Sequence, residues 1–265
     1  MRPRFHITVP QFSSTFEPVL AAARFAEASS LDGVFLFDHL IPLGDPSRPV
    51  LELAATLGAV AAATSTITVG TLVMRVPLRG PVVSAAVAHT AATIAPGRMV
   101  VGLGAGDRMS ADEAIRFGQV PGSVAERVTE VEQTVRALAG ADVRRWVGGT
   151  HERVLAVALE ADGWNGWALP PERFATIAAG LRARRPGLTL SWGGSVVVGE
   201  DRADLDRLLA ERHGRGGDIT GTADEVVAQL TALAGAGCEH FVVSVLPNRP
   251  ERWEIFARSV VETLG

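Results

Sequence analysis

The run Gly33-Val34-Phe35-Leu36-Phe37 is short and wholly apolar, ends in Asp38-His39, gives way to an Ala-rich stretch of helical period over 49–63, and is followed by a second β-rich run, Thr66–Val73. A continuous apolar run of this length, with no alternation, is the mark of a strand covered on both faces, and a helix between two such strands makes a βαβ unit. The same pairing extends in both directions. Strands are expected at Phe5–Val9, Gly33–Phe37, Thr66–Val73, Arg98–Leu103, Val143–Val147, Gly163–Gly166, Leu188–Val198 and His240–Leu246. Helices are expected at 16–30, 49–63, 81–95, 123–139, 150–161, 171–184, 201–212 and 250–263, with an extra one at 223–236. Eight βα pairs predict an α/β fold of the (β/α)8 barrel type. The rival, an open doubly wound sheet, lacks its GxGxxG-plus-acid fingerprint after the first strand.

Several boundaries carry their own chemistry. Ser123-x-x-Glu126 and Thr222-x-x-Glu225 read as capping boxes, Pro81 and Pro171 suit a first helical turn, and Gly235-Ala236-Gly237 stops a helix before the last strand. No linker or repeat interrupts the pattern, so residues 1–265 are expected to form a single barrel domain.

Composition narrows the function. With 47% hydrophobic and 20% charged residues the chain can bury a large core. A net charge of −4 argues against general nucleic-acid binding. The single cysteine, Cys238, offers neither an internal disulfide nor a metal cluster, and no HxxH or HExxH spacing accompanies the histidines, so no metal site is expected. No apolar run reaches the length of a membrane span, and no signal-like segment opens the sequence; a cytoplasmic protein is expected. Every Lys+Arg residue is an arginine, which excludes a Schiff-base lysine mechanism, and Tyr is absent as well, a bias of GC-rich genomes.

In a barrel, functional residues come from strand C-termini and the loops that follow them. Asp38-His39 sits there, a carboxylate and an imidazole able to orient a ring and move a proton near neutral pH, or equally a structural hydrogen-bonding pair. Gly70 in the third strand reads as a bulge, a close ligand approach or a packing glycine. The fourth strand ends in Gly102-Leu103-Gly104-Ala105-Gly106, whose glycines let the chain pass close to a planar ligand. Trp146-Val147-Gly148-Gly149-Thr150 precedes a helix and suits an anion, with Thr150 a possible cap; Gly193-Gly194-Ser195 is a weaker second candidate. Arg75, Arg79, Arg108 and Arg153 fall near the rim, where they could meet an anionic ligand tail. His6, His89, His213 and His240 lie within or at the start of strands and helices and read as structural, and Cys238 reads as a buried small hydrophobe.

In order and spacing, Leu31-Asp32-Gly33-Val34-Phe35-Leu36-Phe37-Asp38-His39, Ala61-Ala62-Ala63-Thr64-Ser65-Thr66-Ile67-Thr68-Val69-Gly70-Thr71, Gly97–Gly106, Arg116-Phe117-Gly118, Glu160–Asn165 and Gly221–Val226 resemble the bacterial luciferase-like superfamily. In particular they resemble its branch using the deazaflavin coenzyme F420, well represented in GC-rich actinobacteria. The resemblance implies a TIM barrel, a homodimer and an F420-dependent oxidoreductase acting on a small organic molecule. It places Asp38 and His39 beside the deazaflavin, with His39 handling the proton. Thr71, Leu72 and Val73 would form a bulge behind the ring, often with a non-proline cis peptide. Gly104 and Gly106 would border the tail, and Gly148, Gly149 and Thr150 would hold its phosphate. Carbon in place of nitrogen at position 5 makes the deazaflavin a hydride carrier. Alternatives are an FMN-dependent monooxygenase of the same fold, a non-catalytic coenzyme carrier, and a phosphate-binding lyase or isomerase. Relatives carry a long insertion where this chain runs short between Gly118 and Val143, and sugar-phosphate-oxidising relatives have a tryptophan where this chain has Leu40-Ile41-Pro42-Leu43 after the Asp-His pair. A sugar phosphate is therefore not expected as substrate.

Overall fold

The computed structural model describes residues 2–42 and 47–265, and Leu43 lies outside them. Strands β1 (Arg4–Thr8), β2 (Gly33–Leu36), β3 (Thr68–Arg75), β4 (Met99–Gly104), β5 (Arg144–Gly148), β6 (Gly163–Trp167), β7 (Thr189–Gly199), β8 (Ile219–Thr222) and β9 (His240–Val245) belong to one parallel sheet. Neighbours run β6-β5-β4-β3-β2-β1-β9-β7, and β6 pairs again with β7, so these eight strands close into a barrel. Strand β8 stands outside that ring and pairs with Val196–Gly199 at the C-terminal end of β7. Helices α1 (Glu17–Ala28), α2 (Leu53–Ala63), α3 (Val76–Ile94), α4 (Arg108–Arg116), α5 (Val124–Ala137), α6 (Glu152–Ala158), α7 (Pro171–Arg184), α8 (Arg202–Glu211), α9 (Ala223–Gly235) and α10 (Pro250–Phe256) follow the strands, and the chain continues through a π-helical Ala257–Val261. None of the described helices is long and apolar enough to cross a membrane.

Period-2 alternation divides each strand between two cores. In β2, Val34 and Leu36 join the main core between barrel and helices, while Phe35 joins Leu72, Val100, Trp146 and Val242 in a separate cluster contributed by five different strands. That second cluster fills the barrel. Gly70 belongs to it: a Cβ there would lie 2.4 Å from Cε1 of Phe35, so its packing role is the one realised. Lower in the barrel, His6 Nε2 and His240 Nδ1 are 3.0 Å apart with their rings stacked, and Trp146 stands edge-on to His240. Burial lowers the pKa of His6 well below the ordinary value, helped by His240, Arg144 and Arg4; burial, then Arg4 and Arg144, push His240 down to about 3. Both rings are neutral at physiological pH, which fits the structural role expected of them. Cys238 is buried and its thiol is pushed up by burial.

The expected caps form. Glu126 accepts from Ser123 N, Glu225 accepts from Thr222 N, Pro171 opens α7, and Gly237 takes φ 96° after α9. The differences lie at the C-terminal rim. β3 runs two residues beyond the expected end and takes Arg75 into the strand, and α3 starts at once with Val76. A break at Gly80 (φ 73°) separates that opening turn from the longer segment that Pro81 begins, as expected. Helix α4 is absent from the expected elements. Its sequence is mostly polar, and its start is marked by Asp107 and Ser110, which cap each other without the Glu or Gln of a usual capping box. The short strand β8 is likewise unannounced, being only Ile-Thr-Gly-Thr directly before α9.

Candidate active site

The C-terminal end of β2 delivers Asp38 and His39 into two different hydrogen-bond systems. Asp38 is buried. Its Oδ2 accepts from Arg75 N (2.8 Å) and Arg79 Nη1 (2.6 Å), and its Oδ1 accepts from Arg79 Nη2 (3.0 Å). Arg79 also reaches Glu52 Oε1 at 2.5 Å, and Glu52 caps α2 by accepting from Ala55 N. Burial lowers the Arg79 pKa, but the bonds and charge of Asp38, then Glu52, outweigh it and hold the guanidinium above its ordinary value. The forked pair therefore ties β2, the start of α3 and the start of α2 together. Asp38 is a clamp, and its acceptor capacity is taken up by Arg75 and Arg79.

The carboxylate that meets His39 comes from α4. Glu113 Oε2 lies 3.3 Å from His39 Nδ1 and 2.9 Å from Arg75 Nη1, while Oε1 accepts from Leu40 N and from Ile41 N (3.0 Å). Burial raises the Glu113 pKa, but the Leu40 N–H, the Arg75 charge and the His39 contact together carry it below the ordinary carboxylate value. Sequence reasoning missed this residue. Glu113 is 74 positions from His39, on a helix with a weak signature, and a Glu on a polar helix looks like a solvated face. With Nδ1 committed to Glu113, the other ring nitrogen, Nε2, is the one left to exchange a proton. Arg75, one of the arginines that could meet a ligand tail, is buried and paired with Glu113, and its Nε and Nη2 have no partner. Arg79 is likewise engaged, Arg153 is exposed on α6, and the Arg108 side chain lies outside the described residues.

The expected bulge is present in β3. The Leu72–Val73 peptide is cis, and the β3–β4 register shifts between Thr71 and Met74. Thr71 Oγ1 donates to Gly102 O at 2.9 Å, which holds the bulge to β4. Glycines flank it because Val73 fills the adjoining space: a Cβ on Gly104 would lie 2.2 Å from Val73 Cγ2, and one on Gly148 2.7 Å from Val73 Cγ1. Gly106 (φ 69°) lies beyond, on the wall of a cavity of about 330 Å³ that also touches Arg75, Pro77, Ser110, Gln119 and Arg127. The bulge is tied to the Asp-His pair through the Arg75 N–H, two residues past Val73, which binds Asp38.

The anion candidate after β5 is altered. The N-cap of α6 is His151, not Thr150, and the helix has only seven residues with Glu152 in its first turn, so it offers little positive field. Gly149 N already donates to Asn165 O (3.2 Å), and Gly149 O accepts from Trp164 Nε1. Thr150 remains half-buried beside them. Gly193-Gly194-Ser195 lies inside β7, where Ser195 N and Oγ both donate to Asp218 Oδ2, just before β8. Among the described residues no group of three His, Cys, Asp or Glu side chains is placed to hold a metal ion.

Aromatic side chains gather over the barrel mouth. Phe12 follows β1, Phe37 follows β2, and Trp167 ends β6. Phe37 stacks on Phe12 at 6.3 Å and meets Trp167 edge-on at 5.6 Å, and His39 is within 6.4 Å of both phenylalanines.

Residues 3–153 match the family model described as luciferase-like monooxygenase. Over 93 residues the chain is 37% identical to the F420-dependent glucose-6-phosphate dehydrogenase of Beutenbergia cavernae, a stretch that is 35% of this chain and 28% of that relative. The chain thus spans little more than a quarter of the curated relative it matches. Among solved structures, an F420-dependent secondary alcohol dehydrogenase in complex with an F420-acetone adduct superposes with a TM-score of 0.81 at 16% identity, covering 100% of this chain and 98% of that one. EDTA monooxygenase from Chelativorans sp. BNC1 gives 0.80 at 12% identity over 100% and 94% of the two chains. The coenzyme F420-dependent tetrahydromethanopterin reductase from Methanopyrus kandleri gives 0.74 at 18% identity over 100% of both. At these identities the structural likeness shows the fold alone.

Proposed function

The chain belongs to the luciferase-like monooxygenase family, and from that premise we propose that it is an oxidoreductase working with the deazaflavin coenzyme F420 on a small organic molecule at the C-terminal mouth of the barrel. The observation that carries the proposal is the bulge of β3 between Thr71 and Met74, flanked by glycines and joined through Arg75 to the Asp38-His39 segment. The F420 dependence of the curated relative supports it.

The residues present fit such a group. Gly104 and Gly148 give their side-chain space to Val73, so that Val73 and bare glycine backbone adjoin the bulge where a planar ring would rest. Thr71, Leu72 and Val73 would carry the ring. Gly106 would border the tail, and Thr150 would meet the tail's anionic end, since Gly149 N is engaged. When bound, the deazaflavin supplies two-electron hydride chemistry. The chain supplies the rest. Glu113 holds His39 by Nδ1, so Nε2 faces the exchange of a proton with the substrate. Arg75 fixes Glu113, and Asp38, through Arg79, fixes the loop that carries His39.

Fluorescence titration of the purified chain with F420 and with FMN tests the assignment. Micromolar or tighter F420 binding, with FMN weaker, is expected; tight FMN binding without F420 binding would refute it in favour of a flavin monooxygenase. A homodimer belongs to the same proposal, and light scattering measures it.

A further inference from the structure

From the crossing of the barrel mouth by Trp167, we infer that this residue is the specificity wall of the substrate site and selects planar, unsaturated molecules. In the closed ring of eight strands, β2 and β6 lie four places apart in either direction, diametrically opposite. The contact between Phe37 and Trp167 therefore bridges the mouth. Three features place the indole there. Gly193 on β7 lies directly beneath it: a Cβ at that position would come within 2.5 Å of Trp167 Cε3 and 3.0 Å of Leu72 Cδ2. Ala168 adopts φ 54°, a left-handed conformation unfavourable for a residue with a Cβ, and its N–H donates to Gly193 O at 2.6 Å, turning the chain so that Trp167 points back over the barrel. Trp167 is also 39% exposed, whereas Trp146, Trp164, Trp192 and Trp253 are at most 2% exposed. A large aromatic left open at a site that glycine and strained backbone have been arranged to seat is a surface for a ligand.

The surrounding chemistry sets the class. Phe12, Phe37 and Trp167 offer aromatic faces, and His39 is the polar group beside them. Beside them Arg75 and Arg79 pair with Asp38, Glu52 and Glu113, and the Arg48 guanidinium donates to Phe12 O. A flat unsaturated ring stacks on the indole and hydrogen-bonds to His39, a face that a sugar phosphate does not offer.

Because this deepens the proposed function, the test separates the two. 1,4-Naphthoquinone serves as the planar uncharged probe and glucose 6-phosphate as the charged non-planar one; each is titrated by calorimetry and by tryptophan fluorescence into cofactor-free and F420-saturated protein. Naphthoquinone is expected to bind in both states and to quench the exposed-tryptophan emission. Trp167→Ala is expected to weaken its Kd about tenfold, Trp167→Phe by less than threefold, and neither should move the F420 Kd by more than twofold. Gly193→Ala, which keeps the indole but displaces it, should reproduce the loss with the fold intact by circular dichroism. Unchanged naphthoquinone affinity in Trp167→Ala, no binding to the wild type, equal binding of glucose 6-phosphate, or competition between naphthoquinone and F420 would each overturn the inference, the last because the slot would then belong to the coenzyme. Failure of the wild type to bind F420 would sink the coenzyme assignment alone, since the cofactor-free titration still decides the role of Trp167.

Discussion

Replacing Glu113 by Gln should unfold the rim from within. Arg75 and Glu113 have side chains only 8% and 5% exposed, and Arg75 has no second ion-pair partner among the described residues, while its Nε and Nη2 are already without hydrogen bonds. The substituted side chain could still accept from Leu40 and Ile41 through its amide oxygen, but it would turn an amide donor toward the guanidinium and His39. Removing one member of a buried pair costs on the order of 3–5 kcal/mol, because the other charge is left uncompensated. The lower end, about 3 kcal/mol, applies here because the backbone acceptor role survives. The measurement is denaturant unfolding at pH 7.5. In the double variant Glu113→Gln/Arg75→Met no lone charge remains, and most of the loss should return, to within about 1 kcal/mol of the wild type. Turnover should not return with it, because His39 Nδ1 no longer has its carboxylate acceptor. A loss below about 1 kcal/mol in Glu113→Gln, or a double variant no more stable than the single one, would refute the account of the network. A double variant with wild-type kcat would refute the positioning role while leaving the energetics standing.

Three further outcomes are expected. The His6–His240 pair has folded-state pKa values below the unfolded value, so the unfolded chain binds more protons at mildly acid pH; the pair's contribution is full above about pH 6.5 and is lost as pH falls. Keeping two imidazoles neutral at pH 5.5 costs about 1.4 kcal/mol each, or about 2.7 kcal/mol between pH 7.5 and 5.5; unfolding free energies that stay flat over that interval would contradict it. Gly104→Ala should destabilise by about 1–3 kcal/mol and weaken F420 binding, since the new methyl overlaps Val73, and adding Val73→Ala should relieve it; a neutral single substitution in thermal melts would show that the bulge is not so confined. His39→Ala should abolish F420-linked turnover while leaving F420 affinity within a few-fold; retained turnover would place the proton on another group or water.

Much of the fold was legible because strand and helix periods are local properties of the chain. The apolar runs at Gly33–Phe37 and Arg98–Leu103, the helical stretches between them and the capping pairs at Ser123 and Thr222 announced the barrel's elements within a few residues. The errors fell where local signal is thin. α4 has few apolar positions and an unusual cap, and β8 is four residues long. The continuation of β3 to Arg75 depends on pairing with Gly104 of β4, which no property of residues 74–75 reveals.

By itself, the amino-acid sequence determined that the chain makes a (β/α)8 barrel and that Asp38 and His39 follow its second strand, while the bulge at Thr71–Val73 came from the family resemblance. Only the tertiary structure decided what those residues do to one another. It parted Asp38 from His39, giving one to Arg79 and the other to Glu113, and it carried Trp167 across the mouth to Phe37. The reason is geometric. Hydrophobic period is read along the chain, whereas the partner of a buried charge is set by which side chains barrel closure brings within about 3 Å, and these come from elements dozens of residues apart.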